Sequence, residues 1–317
     1  MTPADIDRTL RSLAEHAWDR EVTWSQIQAW AGNFTGQTAP VDTERDHGLV
    51  ALTRFIYFGK RLVREMLRSL YRDHFEAPLI QRVRRNCLHT RDAAILKSHF
   101  KQELNTTRFV GVGNPSESGA HLLYYFRQIN RLSKELFVDI GAAFNDVQPG
   151  GRIAGLQATD MSANRYVFFD DVVGSGVQST TYLSHKLRRI RKANPGLDLR
   201  FMCLFATTTG LSALNGKNMF DGKATCLFEL DDTYKVFNAL QRYFPQGLIG
   251  SFSVQTFEQM VRHYGQILFP NHAAGYKDGQ LMLGFTHNTP DNTLPIYWNE
   301  GRKTAWSPIF VRYDKVY

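Results

Sequence analysis

Two adjacent carboxylates stand ahead of a small-residue turn in Tyr166-Val167-Phe168-Phe169-Asp170-Asp171-Val172-Val173-Gly174-Ser175-Gly176-Val177-Gln178-Ser179-Thr180. The four apolar residues at the front read as a strand buried on both faces. Gly174-Ser175-Gly176 lets backbone N–H groups converge without side-chain obstruction. The helix expected from Val177 adds the partial positive charge of its N-terminus. The segment Gly174–Thr180 is therefore an anion site sized for a phosphate monoester, with hydroxyl donors on Ser175, Ser179 and Thr180. Asp170 and Asp171 cannot hold that phosphate; they suit hydroxyl groups, or a divalent cation bound through water, beside it. A ribose 5-phosphate carries both kinds of group. A strand-end turn of the Asx type is the plainer account of two acids in such a place. Four apolar residues before them and Gly-Ser-Gly after them favour the ligand-binding account.

The elements that must position this segment alternate. Arg108–Gly113 is a short strand, Ala120–Leu132 a helix with Ser118 as N-cap, and Leu136–Ile140 a second strand. A glycine-rich loop holding Pro149-Gly150-Gly151-Arg152 precedes the third strand, Tyr166–Phe169. A helix over Val177–Lys192 ends at Asn194-Pro195-Gly196, and strands follow at Leu199–Ala206 and Ala224–Leu230. This is the pattern of an α/β protein with an open, mainly parallel sheet and helices on both faces. Residues 1–104 read as helices. Thr2-Pro3 and Thr23-Trp24-Ser25-Gln26 are helix starts, one long amphipathic helix is expected over Thr43–His74, and shorter ones over Pro78–Arg85 and Arg91–Leu104. The expected division is a helical region over 1–104, a core over 105–235 and an irregular C-terminal extension over 236–317 packed on that core. The extension includes a helix at Thr256–Leu268 and a structured loop from His287 to Trp298.

The 317 residues are 43% hydrophobic and 21% charged, enough to bury a sizeable core and incompatible with a wholly disordered chain. The longest uncharged stretches are broken by Thr, Gly, Ser and Gln, so no membrane-spanning helix is expected, and the acidic start Met1–Asp7 does not read as a signal peptide. Cys87, Cys203 and Cys226, odd in number and set among apolar residues, read as reduced thiols of a cytoplasmic protein. The ten histidines show no metal-ligand spacing. Net charge is +8, and residues 54–91 carry most of it, with ten basic residues against three acids. Arg61, Arg64, Arg68 and Arg72 fall three or four apart and share a helix face. Such a face attracts nucleic acid, nucleotide phosphates or an acidic partner, or is merely solvated.

The strand, acids, glycine loop and helix at 166–180, in that order, resemble the phosphoribosyl-pyrophosphate signature of type I phosphoribosyltransferases. The likeness covers roughly residues 105–235. It implies that Gly113, Asn114, Ser116, Ser118 and Gly119 belong to a pyrophosphate loop, and that Asn145–Asn164 is the family's mobile catalytic loop, with Arg152 reaching the leaving group. The phrase His287-Asn288-Thr289-Pro290 to Trp298, behind a helical N-terminal region, is similar to the closing motif of the phosphoribosyltransferase-like effectors of bacterial conflict systems (PRTase-CE), retron-associated members included. His287, Asn288, Asn292 and Thr293 would then line an acceptor pocket, unless they only stabilise turns. Two departures stand out: the pyrophosphate loop has Glu117 and no Lys or Arg, and Gln178 occupies the usual place of a Thr.

Two functions follow as expectations. One is a Mg²⁺-dependent phosphoribosyltransferase-like enzyme acting on phosphoribosyl pyrophosphate or a nucleotide, an effector of retron-type antiviral defence. The other is an inactive sensor of such a ligand, binding nucleic acid or a reverse-transcriptase ribonucleoprotein through its 54–91 region.

Overall fold

A computed structural model of the chain describes residues 2–113, 118–147, 155–245, 252–301 and 305–313. Helix α1 (Pro3–Ser12) starts at Thr2 and α2 (Trp24–Ala31) at Thr23, each through a reciprocal capping box, with Asp5 and Gln26 as the returning side chains. Helix α3 (Val41–Leu52) follows. The single helix expected over 43–74 is interrupted here. The chain leaves the helix and forms strand β1 (Ile56–Phe58), three β-branched or aromatic residues that favour extended backbone. Helix α4 (Lys60–Tyr71) resumes the turn, with the Asp19 carboxylate accepting the Arg61 N–H at 3.1 Å. A widened turn over Arg72–Glu76 leads into α5 (Ala77–Asn86), next to Pro78, which has no N–H for a regular helical ladder. Helix α6 (Ala93–Asn105) is capped by Asp92.

Strand β2 (Thr107–Gly111) and helix α7 (Ser118–Ile129) come next, then a four-residue helix α8 (Ile140–Ala143). The span expected as one loop carries the antiparallel strands β3 (Phe144–Val147) and β4 (Gly155–Ala158). Strand β5 (Arg165–Val173), helix α9 (Val177–Ala193), strand β6 (Asp198–Thr207), helix α10 (Thr208–Leu214) and strand β7 (Ala224–Leu230) complete the alternation. Helix α11 (Val254–Leu268) and strand β8 (Leu283–Phe285) lie in the C-terminal part.

Contacts gather these elements into two compact units, Met1–Val63 with Leu230–Tyr317, and Arg64–Glu229. The grouping differs from consecutive segments 1–104, 105–235 and 236–317, since both ends of the chain fall in one unit. In that unit β1 pairs in parallel with β8, Ile56 opposite Leu283. The loop 287–298 is ordered by burial: Leu294, Ile296 and Tyr297 are fully enclosed, and the indoles of Trp30 and Trp306 both donate to the Ile296 carbonyl, at 2.7 and 3.0 Å. Glu44 is fully buried; it accepts from the Tyr264 hydroxyl at 2.6 Å and from the Gly36 and Thr38 N–H groups at 2.7 Å. Burial alone would raise its pKa, but these hydrogen bonds outweigh it and hold the carboxyl below its ordinary range.

The second unit is built on a sheet of order β2-β5-β6-β7, in which β2–β5 and β5–β6 run parallel. On the other side of β2 the strand expected over Leu136–Ile140 shrinks to one parallel bridge, Phe109 with Phe137. A 3-10 turn at Lys134–Leu136 precedes it, and the Asp139 side chain caps α8 directly after it. The chain therefore leaves β2 towards one side and returns at β5 on the other. Its winding reverses between these two strands, where open α/β sheets form a crevice at the carboxyl ends. Helices cover both faces. Phe126 of α7 meets Phe109 and Phe169, each at 5.3 Å, while Leu183, Leu187 and Ile190 of α9 pack in the core containing Tyr166 and Phe168.

At the opposite end of the sheet the Arg165 side chain, 3% exposed, bridges Glu103 at 2.7 Å and Asp198 at 3.0 Å. Arg200 and Lys223 also reach Asp198, at 2.9 and 3.0 Å. Burial works against the Asp198 anion, but the Arg200 charge and hydrogen bonds from Lys223, Arg200 and Arg165 prevail, and its pKa falls to about 2. A carboxyl depressed in the folded state stabilises above its unfolded pKa and loses that contribution as pH falls through the folded value. Asp198→Asn should thus lower unfolding free energy by about 2 kcal/mol at neutral pH and by little near pH 2. Urea titrations of both proteins across that range check this.

Candidate functional site

Strand β5 does not stop at Phe169 as expected but continues through both acids to Val173. Its register with β2 ends at Gly111 opposite Phe169, whereas β6 accompanies it further, with Cys203 opposite Asp170 and Ala206 opposite Val173. Asp170 and Asp171 therefore sit where β5 has a strand on one side only, at the winding reversal. The start of α7 closes in from the other side. A Cβ on the buried Gly119 would lie 3.0 Å from the Phe169 carbonyl and 3.3 Å from the Asp170 Oδ1.

Each acid is tied to the backbone after it. The Asp171 N–H donates to Asp170 Oδ1 at 3.0 Å, and the Val172 N–H donates to Asp171 Oδ1 at 2.9 Å. Both bonds reach only the next residue, within the strand, so they are not those of an Asx turn, which spans two residues. Asp171 is 8% exposed and Asp170 half-buried, so Asp170 is the more accessible of the two.

The turn after the strand is braced from β6 and α10. The Thr207 hydroxyl donates to the Gly174 carbonyl at 2.6 Å and accepts the Gly210 N–H at 3.0 Å, so one side chain holds the turn and starts α10. Gly176 caps α9 with φ +72, a left-handed conformation that favours glycine. A Cβ on Gly210 would come within 2.3 Å of the Gly174 carbonyl oxygen. Val177, Gln178 and Ser179 open α9, and the first N–H groups of a helix have no acceptor within it. Ser175 is half-buried in the turn. The Thr180 hydroxyl, expected as a phosphate donor, donates to the Gly176 carbonyl at 2.7 Å. Thr207 and Gly210 were not singled out from sequence. The run Thr207-Thr208-Thr209-Gly210 behind a strand is a helix-capping signal that could have found them.

Among the described residues no group of three His, Cys, Asp or Glu side chains is placed to hold a metal. Two adjacent carboxylates offer oxygen donors of the kind a hydrated divalent cation takes. Cys203, fully buried opposite Asp170, has its thiol pKa pushed well above the ordinary value by burial and by the charges of Cys226, Asp170 and Asp171. All three cysteines are free.

The structure thus brings together Asp170, Asp171, Gly119 and the Gly174–Gly176 turn. Gly113 follows β2 with φ +96, and Ser118 opens α7. Asn114, Ser116 and Arg152 lie outside the described residues. His287, Asn288, Asn292 and Thr293 belong to the other unit. There His287 stacks on Phe285, Asn288 accepts from the Tyr313 N–H, Asn292 donates to the Tyr276 carbonyl and Thr293 to the Leu283 carbonyl.

A family model described as PRTase-CE matches residues 27–312. Among solved structures, that of the AQ2163 protein from Aquifex aeolicus is similar at 13% identity and a TM-score of 0.28, over 67% of this chain and 84% of that one. A likeness at that score carries no weight for fold or function. No curated protein matches.

The bracing of the turn is open to test. Gly210→Ala should lower unfolding free energy by about 1–3 kcal/mol, because backbone has to shift to admit the methyl group. Gly196→Ala, with nothing within 4 Å of the added atom, should stay within about 0.5 kcal/mol of the parent. Denaturant melts of the two variants decide it.

Proposed function

The chain belongs to the PRTase-CE family of phosphoribosyltransferase-like effectors, and from that premise we propose that it is a phosphoribosyltransferase-like enzyme acting on phosphoribosyl pyrophosphate or a nucleotide. The observation that supports this reading is the meeting of the Asp170–Asp171 pair with the braced Gly174–Gly176 turn at the winding reversal of the sheet.

In this reading the α9 amides hold the ribose 5-phosphate, and that remote binding energy orients the ribose C1. The bond from C1 to the leaving pyrophosphate oxygen breaks, its electron pair departs with pyrophosphate, and the acceptor forms the new bond to C1. Positive charge builds on the ribose as this happens. Asp170 and Asp171 hold the ribose hydroxyls and offset that charge. The same two carboxylates would hold a Mg²⁺ ion through water, and such an ion would supply neutralising charge to the pyrophosphate. Gly119, packed against the Asp170 carboxylate, keeps the start of α7 close enough for its backbone to flank the leaving group.

We place the protein in the cytoplasm as an effector of bacterial antiviral defence, of the retron type. The support is family membership together with the resemblance at His287–Trp298. Among the described residues no helix is long and apolar enough to cross a membrane. A second reading, a sensor that binds the same ligand without turnover, draws support from Glu117 and from the lack of Lys or Arg in the pyrophosphate loop.

Asn at 170 and 171 preserves shape and an oxygen acceptor for the following N–H while removing both charges. Asp170→Asn with Asp171→Asn should therefore reduce pyrophosphate release by about a hundredfold or more with little change in melting temperature. Metabolite profiles of cells expressing the parent and the double variant should differ in phosphoribosyl or nucleotide pools. An unaltered rate in the double variant discards the enzyme assignment. Ligand binding without pyrophosphate release by the parent selects the sensor.

A further inference from the structure

Helix α7 carries an aromatic and basic surface that the proposed chemistry does not use. Tyr124 is 53% exposed, and the Arg127 guanidinium lies over its ring at 5.8 Å. The neighbouring Tyr125 takes the Arg64 guanidinium of α4 over its ring at 5.5 Å and the edge of His121 at 5.1 Å. The two tyrosine rings are 5.5 Å apart and nearly perpendicular, at 76°. Packing fixes α4 against α7 through Tyr71 on Phe126, at 5.8 Å, and through the Asn130 amide on the Leu67 carbonyl, at 3.4 Å. The surface is therefore a built one.

The same contacts revise the basic face read from sequence. Arg61 lies 3.8 Å from Asp19, Arg68 is paired with Glu65 at 2.6 Å and Arg72 with Asp73 at 2.8 Å. Of the four arginines at helical spacing, Arg64 is the one laid on an aromatic ring. The Arg68 pair is solvent-exposed on both sides and worth little, so its guanidinium is available to exchange Glu65 for a stronger anion.

We propose that the α4–α7 face binds single-stranded nucleic acid. The exposed Tyr124 ring and the half-buried Tyr125 ring, each with a guanidinium beside it, match a strand that offers bases and phosphates in alternation. The near-perpendicular tyrosines suit bases splayed apart, as single strands allow and a stacked duplex does not. An acidic peptide would answer the arginines but not the rings. A lipid surface would call for aliphatic side chains, which this face does not present among Arg64, Arg68, His121, Tyr124, Tyr125 and Arg127. His121 is in the first turn of α7, so a strand lying along the face leads towards the carboxyl end of β2.

The test is fluorescence anisotropy with labelled oligothymidylate and oligouridylate over a range of salt, using the full chain. Affinity should fall with salt. Tyr124→Ala should weaken binding about tenfold without altering the salt slope, and Tyr124→Phe should restore it. Arg64→Gln with Arg127→Gln should instead reduce the slope by about 1.4, two phosphates at about 0.7 each. Tyr124 is half in solvent, so thermal melts should confirm folded variants. Four outcomes overturn the proposal: no binding to either strand, equal affinity for a duplex, equal loss with Tyr124→Phe, or a preference for anionic vesicles that the same variants abolish. None of these bears on Asp170 and Asp171, so the assignment of the crevice stands or falls separately.

Discussion

Beyond Phe169, strand β5 has a paired strand on one side only. This follows from the winding of the sheet: β2 sends the chain outward to the Phe137 bridge, and β5 takes it up on the opposite flank. A strand end so placed must find partners for its backbone and side chains in loops and helix starts rather than in another strand. Asp170 and Asp171 meet that need in part by bonding the next amide in line, and the start of α7 packs beside them. The positions of the carboxylates and of the phosphate-sized turn are thus set by sheet topology before any ligand is considered.

The turn itself is held from outside. Gly174 is gripped by the Thr207 hydroxyl, and the Gly210 backbone presses against its carbonyl. Its geometry therefore belongs to β6 and α10 as much as to β5 and α9. The pairing of Arg165 with Glu103 and Asp198 ties β5 and β6 to α6 at the far end of the same sheet. One strand thus carries its stabilising charge network at one end and its candidate chemistry at the other.

The centre of the site was legible in sequence because it is local. Asp170, Asp171 and Gly174–Gly176 declare themselves within a dozen residues, and the buried run before them announces the strand. The α/β alternation was legible for the same reason. What escaped was set by distant partners. Ile56 keeps the apolar spacing of a helix, and only the pairing of Ile56–Phe58 with Leu283–Phe285 makes this segment a strand. Phe137 and its neighbours are apolar enough for a strand, but Asp139 caps a helix two residues on and leaves a single bridge. The pairing of Arg61 was hidden similarly, since its partner Asp19 lies more than forty positions away in the chain. The burial of His287–Trp298 was foreseen from its apolar residues, whereas its union with the first helices rests on Trp30 reaching the Ile296 carbonyl.

Cys203 has a consequence for the setting in which such a centre could operate. The thiolate is the form that oxidants and electrophiles attack, and burial beside two carboxylates keeps this sulfur protonated. Peroxide or an alkylating metabolite, which disables many thiol-dependent proteins, finds no reactive sulfur at Cys203.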